Sequence, residues 1–283
     1  MAVQWLRKSW WWMFGLWVLG GGVAAAMHPG TVPDEKLLRS AYAGGERFVF
    51  QVTWLGVPAG ELEMRTEHLG NERYGLTVVA RSIGLLAVFY PVEDRFFTVV
   101  EGRARLPMRH EMDQREGSRV NRRLALYDHA KYSVSQQKND NPPEVYALDG
   151  PVHNEFSSFF VMRALRFGGG ERVVVPTFAD KKRHEVEVSQ EGREESVSVL
   201  GVRPAIKVRP RLAFKGLYSK VADPLIWLTD DEDRIPLRIQ AKIVIGSLTA
   251  DLIEYSGPSG SWRRPPAPVE PPGEPARNGA VQP

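Results

Sequence analysis

The chain has 283 residues, a formal net charge of +3 and no cysteine. The absence of cysteine excludes disulfides, thiolate catalysis, cysteine-based zinc sites and attachment of lipid to a cysteine. The small net charge gives no reason to expect a nucleic-acid partner.

The N-terminus has the layout of a secretory signal peptide. Arg7 and Lys8 precede an apolar stretch at roughly residues 10–23, and the small residues Ala24 to Ala26 follow it. This pattern predicts that residues 1–26 are a signal peptide and that the mature protein is exported to the periplasm without a stable membrane span. The alternative is a retained anchor in the inner membrane, although the stretch is short for a span of about 20 residues.

Alternating apolar residues dominate the chain after a lead-in at residues 27–43, which contains a candidate helix at 34–42. Phe48, Phe50, Val52 and Trp54 repeat with a period of two, as in a β-strand with one apolar face. Similar segments recur at short spacing: 61–65, 74–81, 96–100, 108–112, 120–128, 132–136, 172–178, 182–189, 194–200, 205–208 and 225–228. They predict one mainly β domain at residues 44–256, a large antiparallel curled sheet or open barrel.

One segment, residues 154–170, lacks the period of two. Its apolar and basic residues have the i, i+3, i+4, i+7 spacing of a helix face: Phe156, Phe159, Phe160 and Arg163. Asn154 can cap the start, and the three glycines from Gly168 to Gly170 can stop the end. We therefore predict a helix of about three turns that covers or plugs the sheet. The type of the apolar stretch at 82–90 stays open.

Four consecutive acids, Asp230 to Asp233, precede a strand pattern at 234–245. Calcium loops space their ligands at alternating positions around a glycine, and this run has neither feature. The acids therefore predict a solvated turn, with a weak cation site as the alternative. Gly246 and Ser247 predict the turn of a hairpin that continues at 248–252. Residues 257–283 are proline-rich and predict a disordered tail.

The polar residues form no recognisable catalytic or metal-binding motif. The six histidines include no His-Glu-x-x-His pattern and no pair two or four residues apart. Ser157 and Ser158 lie on the predicted helix near His153, but the sequence identifies no carboxylate that would orient the imidazole. We predict no catalytic residues, no metal site and no cofactor.

Apolar residues are the remaining candidates for a site. The aromatic side chains expected to face the interior are Phe50, Trp54, Tyr90, Phe96, Phe156, Phe159, Phe160 and Trp227, together with Phe89. They either fill the interior of the sheet or surround an apolar cavity for a lipid-like ligand.

Several blocks of the chain resemble the exported bacterial family called domain of unknown function 3108. The matching positions are Gly45-Glu46, Trp54 to Gly60, Tyr90, Asp94, Ser157, Arg163, Trp227 to Asp230, Pro236, Gly246 and Leu252. The resemblance spans about residues 44–255 and implies an exported β-rich fold, similar to the curled sheets of periplasmic lipoprotein carriers. It implies no activity, and Asn154 stands where an acid is expected in the family helix.

The leading hypothesis from these patterns is binding of a lipophilic ligand or a lipidated partner in the cell envelope without catalysis. A scaffold for another envelope protein and a hydrolase without a recognisable motif are the alternatives.

Overall fold

The structure is a computed structural model, and it describes residues 31–167, 173–179, 181–212, 224–242 and 246–264. The predicted signal peptide, the glycines predicted to stop the helix and most of the predicted tail lie outside the described residues.

The described residues form three helices and fifteen strands. The helices are α1 (Glu35–Ala41), α2 (Gly84–Phe89) and α3 (Glu155–Met162). The strands are β1 (Arg47–Trp54), β2 (Val57–Gly70), β3 (Arg73–Ser82), β4 (Val92–Glu101), β5 (Leu106–Glu116), β6 (Arg119–Asp128), β7 (Ser133–Lys138), β8 (Glu144–Ala147), β9 (Val173–Ala179), β10 (Lys182–Ser198), β11 (Gly201–Leu212), β12 (Leu225–Thr229), β13 (Pro236–Lys242), β14 (Ser247–Gly257) and β15 (Gly260–Arg263). None of the described helices has the length and apolar character needed to cross a membrane.

All fifteen strands belong to one antiparallel sheet. Fourteen follow the order β8-β7-β6-β5-β4-β3-β2-β1-β14-β13-β12-β11-β10-β9, and β15 pairs with β14 beside this path. Because the chain runs outward in both directions from the β1–β14 pair, the two edge strands are β8 and β9. The prediction of a large antiparallel sheet with a covering helix is confirmed.

The two edge regions of the sheet, near β8 and near β9, contact each other through side chains. The ring of Phe178 on β9 lies 6.1 Å from that of Tyr127 on β6 and 5.9 Å from that of Tyr146 on β8. Lys181 forms an ion pair of 2.7 Å with Glu144 on β8. The free edge of β9 is covered by His153, whose backbone forms a parallel bridge with Thr177. The sheet therefore curls without closing into a barrel.

Helix α3, which we call the plug helix, packs against the concave face of the sheet. Phe156 lies 4.7 Å from Phe96 on β4, ring centroid to ring centroid, and the Arg163 guanidinium lies 5.1 Å from the ring of Phe48 on β1. We call this the inner face. Phe48 and Phe50 are both completely buried there.

The end of α3 and the 82–90 stretch differ from the sequence expectations. Helix α3 stops at Met162 because the next three N–H groups, from Arg163 to Leu165, bond three residues back, which tightens the turn. The 82–90 stretch contains the short helix α2.

Three strand boundaries also differ from the sequence expectations. The segments at 182–189 and 194–200 fall largely within one long strand, β10, which continues through a register shift between Gln190 and Gly192. The weakly patterned strand β8 was not predicted at all. At the start of the predicted tail, Gly257 ends β14, Pro258 and Ser259 form a turn, and β15 runs from Gly260 to Arg263.

Candidate functional site

The turns between antiparallel strands lie at two ends of the sheet. One end, which we call the clamp end, contains the start of β1, the end of α3 and the β12–β13 connection at 230–235. The opposite end, which we call the apolar end, contains the β1–β2 turn, α2, the β5–β6 turn and the β13–β14 turn.

A buried ion pair holds the clamp end together. Arg163 Nη1 donates to Glu46 Oε2 at 2.9 Å, and Nη2 donates to Oε1 at 3.0 Å. Arg163 is completely buried and Glu46 is 3% exposed. The remaining donors of Arg163 reach the backbone carbonyls of Arg234 and Asp233, at 3.0 and 2.8 Å. This two-point geometry joins the plug helix to β1 and to the acidic turn.

The four acids of this turn form hydrogen bonds and ion pairs with other residues of the chain. Asp231 Oδ1 accepts from Thr229 Oγ1 at 2.6 Å and from the backbone N–H groups of Asp233 and Arg234. The other three contact more distant side chains: Asp230 pairs with Arg193, Glu232 with Lys36, and Asp233 with Ser40 and Ser259. Among the described residues no group of three or more histidines and acids could hold a metal ion. These contacts indicate a structural turn.

Buried polar side chains link the start of α3 to the sheet. Asn154 accepts from the N–H of Ser157 at 2.8 Å and donates from Nδ2 to Thr98 Oγ1 at 2.9 Å, and Thr98 contacts His110 Nδ1 at 2.9 Å. Burial lowers the pKa of His110 to about 4 and that of His153 to about 3. Both imidazoles are therefore neutral in the folded protein near pH 7.

The hydroxyl group of Ser157 takes part in capping the start of α3. Its hydroxyl accepts from the N–H of Asn154 at 2.9 Å and contacts His153 Nδ1 at 3.2 Å. Asn154 and Ser157 form a reciprocal capping box, and both are completely buried. This arrangement stabilises the helix start and leaves the hydroxyl without access for a substrate.

Most of the predicted aromatic residues are tightly packed. Phe50, Phe96, Phe156 and Phe160 are at most 3% exposed and belong to one core cluster. These four side chains fill the interior of the sheet and offer little contact surface to a ligand. Phe159 and Trp54 are partly exposed at the margin of the same cluster.

Two other predicted aromatics each donate a hydrogen bond to a glutamate. Trp227 is 9% exposed and alternates with Ile226 and Leu228, so it lies on the other side of β12, where its Nε1 donates to Glu194 Oε1 at 2.6 Å. The hydroxyl of Tyr90, at the end of α2, donates to Glu116 Oε2 at 3.2 Å.

An apolar surface occupies the inner face at the apolar end. Two cross-strand rows of β1, β14 and β13 form it: Trp54, Leu248 and Ala241 in one row, and Val52, Ala250 and Ile239 in the next. Four of these residues are at most 9% exposed, whereas the two largest, Trp54 and Ile239, are partly exposed. We call these six residues the inner apolar surface. Sequence alternation predicted each of them as part of a strand but singled out Trp54 alone as a site residue.

Helix α2 lies at the same end and contains no buried residue. Leu85, Val88 and Phe89 are 77%, 75% and 75% exposed. The expectation that Phe89 faces the interior is therefore wrong. The helix follows the end of β3 and contacts β2 and β3, with Leu86 and Ala87 half-buried against them.

The carboxyl groups of Asp94 and Glu116 are buried beside α2. Asp94 accepts from the N–H of Arg115 at 3.0 Å and from Gln114 Nε2 at 3.3 Å. Burial and the neighbouring Glu116 raise the pKa of Asp94 to about 7. Sequence reasoning did not select this pair because acids at 94 and 116 look like ordinary polar positions of β4 and β5.

The fold defines an open curled-sheet protein of the β-barrel-like kind. The chain belongs to the family described as "Protein of unknown function (DUF3108)", whose model matches residues 49–253. No curated protein matches the sequence.

Two solved structures are similar to this chain. A β-barrel-like protein of domain of unknown function DUF1849 from Brucella abortus has a TM-score of 0.53 at 10% identity, covering 75% of this chain and 96% of its own. The hypothetical protein CT021 from Chlamydia trachomatis has a TM-score of 0.39 at 9% identity, covering 83% and 97%. The first likeness supports the fold assignment.

Proposed function

We propose that this protein binds the acyl chain of a lipid, or of a lipidated partner, without catalysis in the cell envelope. The observation that carries the proposal is the inner apolar surface at the apolar end. Its six residues are contiguous on three adjacent strands, and none of them has a charged side chain. The cellular location rests on the signal-like sequence of residues 1–26.

The dimensions of this surface suit a single acyl chain. Neighbouring strands lie about 4.8 Å apart, so three strands offer a width of roughly 10 Å. The small side chains of Ala241 and Ala250 leave a shallow depression between the larger side chains of Trp54 and Ile239. An acyl chain laid across it would contact mainly the partly exposed Trp54 and Ile239, with the four buried residues as an apolar floor. Each buried methylene would contribute about 0.8 kcal/mol.

Ligand titration tests the proposal. Lysophosphatidylcholine below its micelle concentration supplies a free lipid, and a palmitoylated peptide supplies a lipidated partner. Shortening the acyl chain by two methylenes should weaken binding about fifteenfold, because about 1.6 kcal/mol of apolar burial is lost. The same peptide without its acyl group should not bind.

A pair of tryptophan variants locates the site. Trp54→Ala should weaken acyl-chain binding, whereas Trp262→Ala should not, because Trp262 stacks on Tyr255 at 5.7 Å near the clamp end. Both variants remove a partly exposed indole. Equal binding by wild type and Trp54→Ala would contradict the proposed site, and tight binding of the unacylated peptide would favour a protein-binding scaffold.

A further inference from the structure

We infer that α2 and the adjacent β1–β2 turn form a docking surface for the acyl region of a phospholipid bilayer. Five exposed residues compose this surface, which we call the apolar rim: Leu55, Val57, Leu85, Val88 and Phe89. Their exposed fractions are 59%, 65%, 77%, 75% and 75%.

Backbone and side-chain contacts make the rim continuous. The N–H of Ile83 donates to the carbonyl of Ala59 at 3.0 Å, which fixes the start of α2 beside the β1–β2 turn. Leu55 packs over Gly246 of the β13–β14 turn, where any side chain would collide with it. The two exposed leucines, the two valines and the phenylalanine therefore project from one end of the sheet.

The chemistry of the rim favours lipid as its occupant. The seven residues from Ile83 to Phe89 contain no side chain that can form a hydrogen bond. Helices that dock on proteins normally combine apolar anchors with a polar border, and a stable protein interface buries roughly 800 Å² on each partner. Five side chains provide less than this area, so a second copy of the chain fits the rim poorly.

The charges around the rim are nearly balanced. Arg81 and Glu93, on the strands that flank α2, form an ion pair of 3.7 Å. Near the end of β5, Arg115 lies 3.5 Å from Asp113, and Arg119 at the start of β6 adds one exposed positive charge. Apolar insertion rather than electrostatic attraction should therefore drive docking, with weak dependence on salt and on anionic lipid.

The position of the rim relates it to the proposed ligand site. Trp54 of the inner apolar surface immediately precedes Leu55 of the rim. Docking through the rim would bring the inner apolar surface to the bilayer from which a lipid is taken. The docking inference extends the proposed function, but it depends on different residues and is measured separately.

The cysteine-free sequence permits a site-specific test in the full chain. Val88→Cys and Val197→Cys each introduce one labelling site at a valine of similar exposure, 75% and 71%, at the apolar end and the clamp end. Each is labelled with an environment-sensitive nitrobenzoxadiazole dye and mixed with phosphatidylcholine vesicles that carry a nitroxide on the acyl chain. Quenching should be at least about threefold stronger at position 88 than at position 197.

Serine variants test the contribution of the rim. Leu85→Ser with Phe89→Ser, in the Val88→Cys background, should reduce vesicle affinity by tenfold or more, since two large apolar side chains are lost. Leu126→Ser is the control, because this leucine is 45% exposed on the outer face of β6. Circular dichroism establishes that each variant is folded.

Three results would overturn the inference. The dye at position 88 could remain unquenched by vesicles, or quenching could be equal at positions 88 and 197, as expected if only the N-terminal apolar segment holds the membrane. The dye could also be shielded before vesicles are added, which would indicate that protein covers the rim. Failure of the proposed ligand site gives a different pattern, in which position 88 is quenched but monomeric lysophosphatidylcholine does not bind.

Discussion

Arg163 and Glu46 form a completely desolvated, two-point ion pair although 117 residues separate them in the sequence. The pair connects the plug helix to the first strand of the sheet, and Arg163 also holds the acidic turn through two backbone carbonyls. Tyr255 Oη lies 3.4 Å from Glu46 Oε1 and adds the last strand before β15 to the same contact. The Arg163–Glu46 pair therefore links four parts of the chain.

Removing either member of this pair should strongly destabilise the protein. Arg163→Met leaves a buried carboxylate without its partner, so we expect a loss of about 3–5 kcal/mol in the free energy of unfolding, measured by urea denaturation. Arg39→Ala breaks an exposed ion pair with Glu35 in α1 and should cost less than about 1 kcal/mol. Similar losses in the two variants would contradict a structural role for the buried pair.

The acids of the 230–233 turn should differ in importance according to their partners. Asp231→Ala removes the acceptor for Thr229 and for two backbone N–H groups, and we expect a loss of about 1–3 kcal/mol. Glu232→Gln affects only an exposed pair with Lys36, in which both side chains are 64% exposed, and should be nearly neutral.

A calcium titration separates this interpretation from a cation site. We expect no rise in Tm on adding calcium to wild type, because the oxygens of the turn already have partners within the chain. A calcium-dependent rise in Tm that Glu232→Gln abolishes would restore the cation interpretation.

The buried histidines should make the fold sensitive to acid. Burial lowers the pKa of His110 to about 4, whereas a histidine in the unfolded chain titrates near 6.5. Between these pH values the unfolded state binds a proton that the folded state does not, so the free energy of unfolding falls as the pH is lowered. His110→Gln should reduce this slope, by up to about 1.4 kcal/mol per pH unit, in urea titrations from pH 7 to pH 4.

An exposed histidine supplies the control for the acid effect. His68 lies on the surface near the β2–β3 turn, and His68→Gln should leave the slope unchanged. If His110→Gln and wild type lose stability in parallel as the pH falls, the buried imidazole is not the cause.

The carboxyl group of Asp94 should make the free energy of unfolding change with pH in the direction opposite to that caused by His110. Burial and Glu116 raise its pKa to about 7, above the value of about 3.9 expected in the unfolded chain. The folded state therefore retains a proton between these values, and the stabilisation present at low pH is lost as the pH rises through 7. Asp94→Asn should gain stability relative to wild type on going from pH 5 to pH 8.

The matched control for this prediction is Asp113→Asn on the neighbouring strand. Asp113 is 38% exposed and contacts Arg115 and Arg122. Its substitution should not reproduce the gain at alkaline pH. A constant difference between Asp94→Asn and wild type across this pH range would show that the carboxyl group does not titrate as described.

Local periodicity predicted most of the strands, because each strand with one buried face alternates in sequence whatever its partners are. The β13–β14 turn was predictable for a similar reason, since Gly246 has a positive φ of 81° that glycine adopts readily. Strand β8 could not be predicted, since its exposed residues have no alternating burial. The exposure of Phe89 was also missed, because an apolar residue suggests burial unless the surrounding contacts are known.

The sequence by itself determined the β-rich class, the period of the strands, the N-cap of the plug helix and the absence of cysteine chemistry. These properties depend on residue type and on neighbours within a few positions. Only the tertiary structure decided which aromatics are packed, where the acids find their partners and that α2 projects its apolar residues outward. Those properties depend on contacts between residues far apart in the chain, such as Arg163 with Glu46, and a single sequence does not encode such pairings in any local pattern.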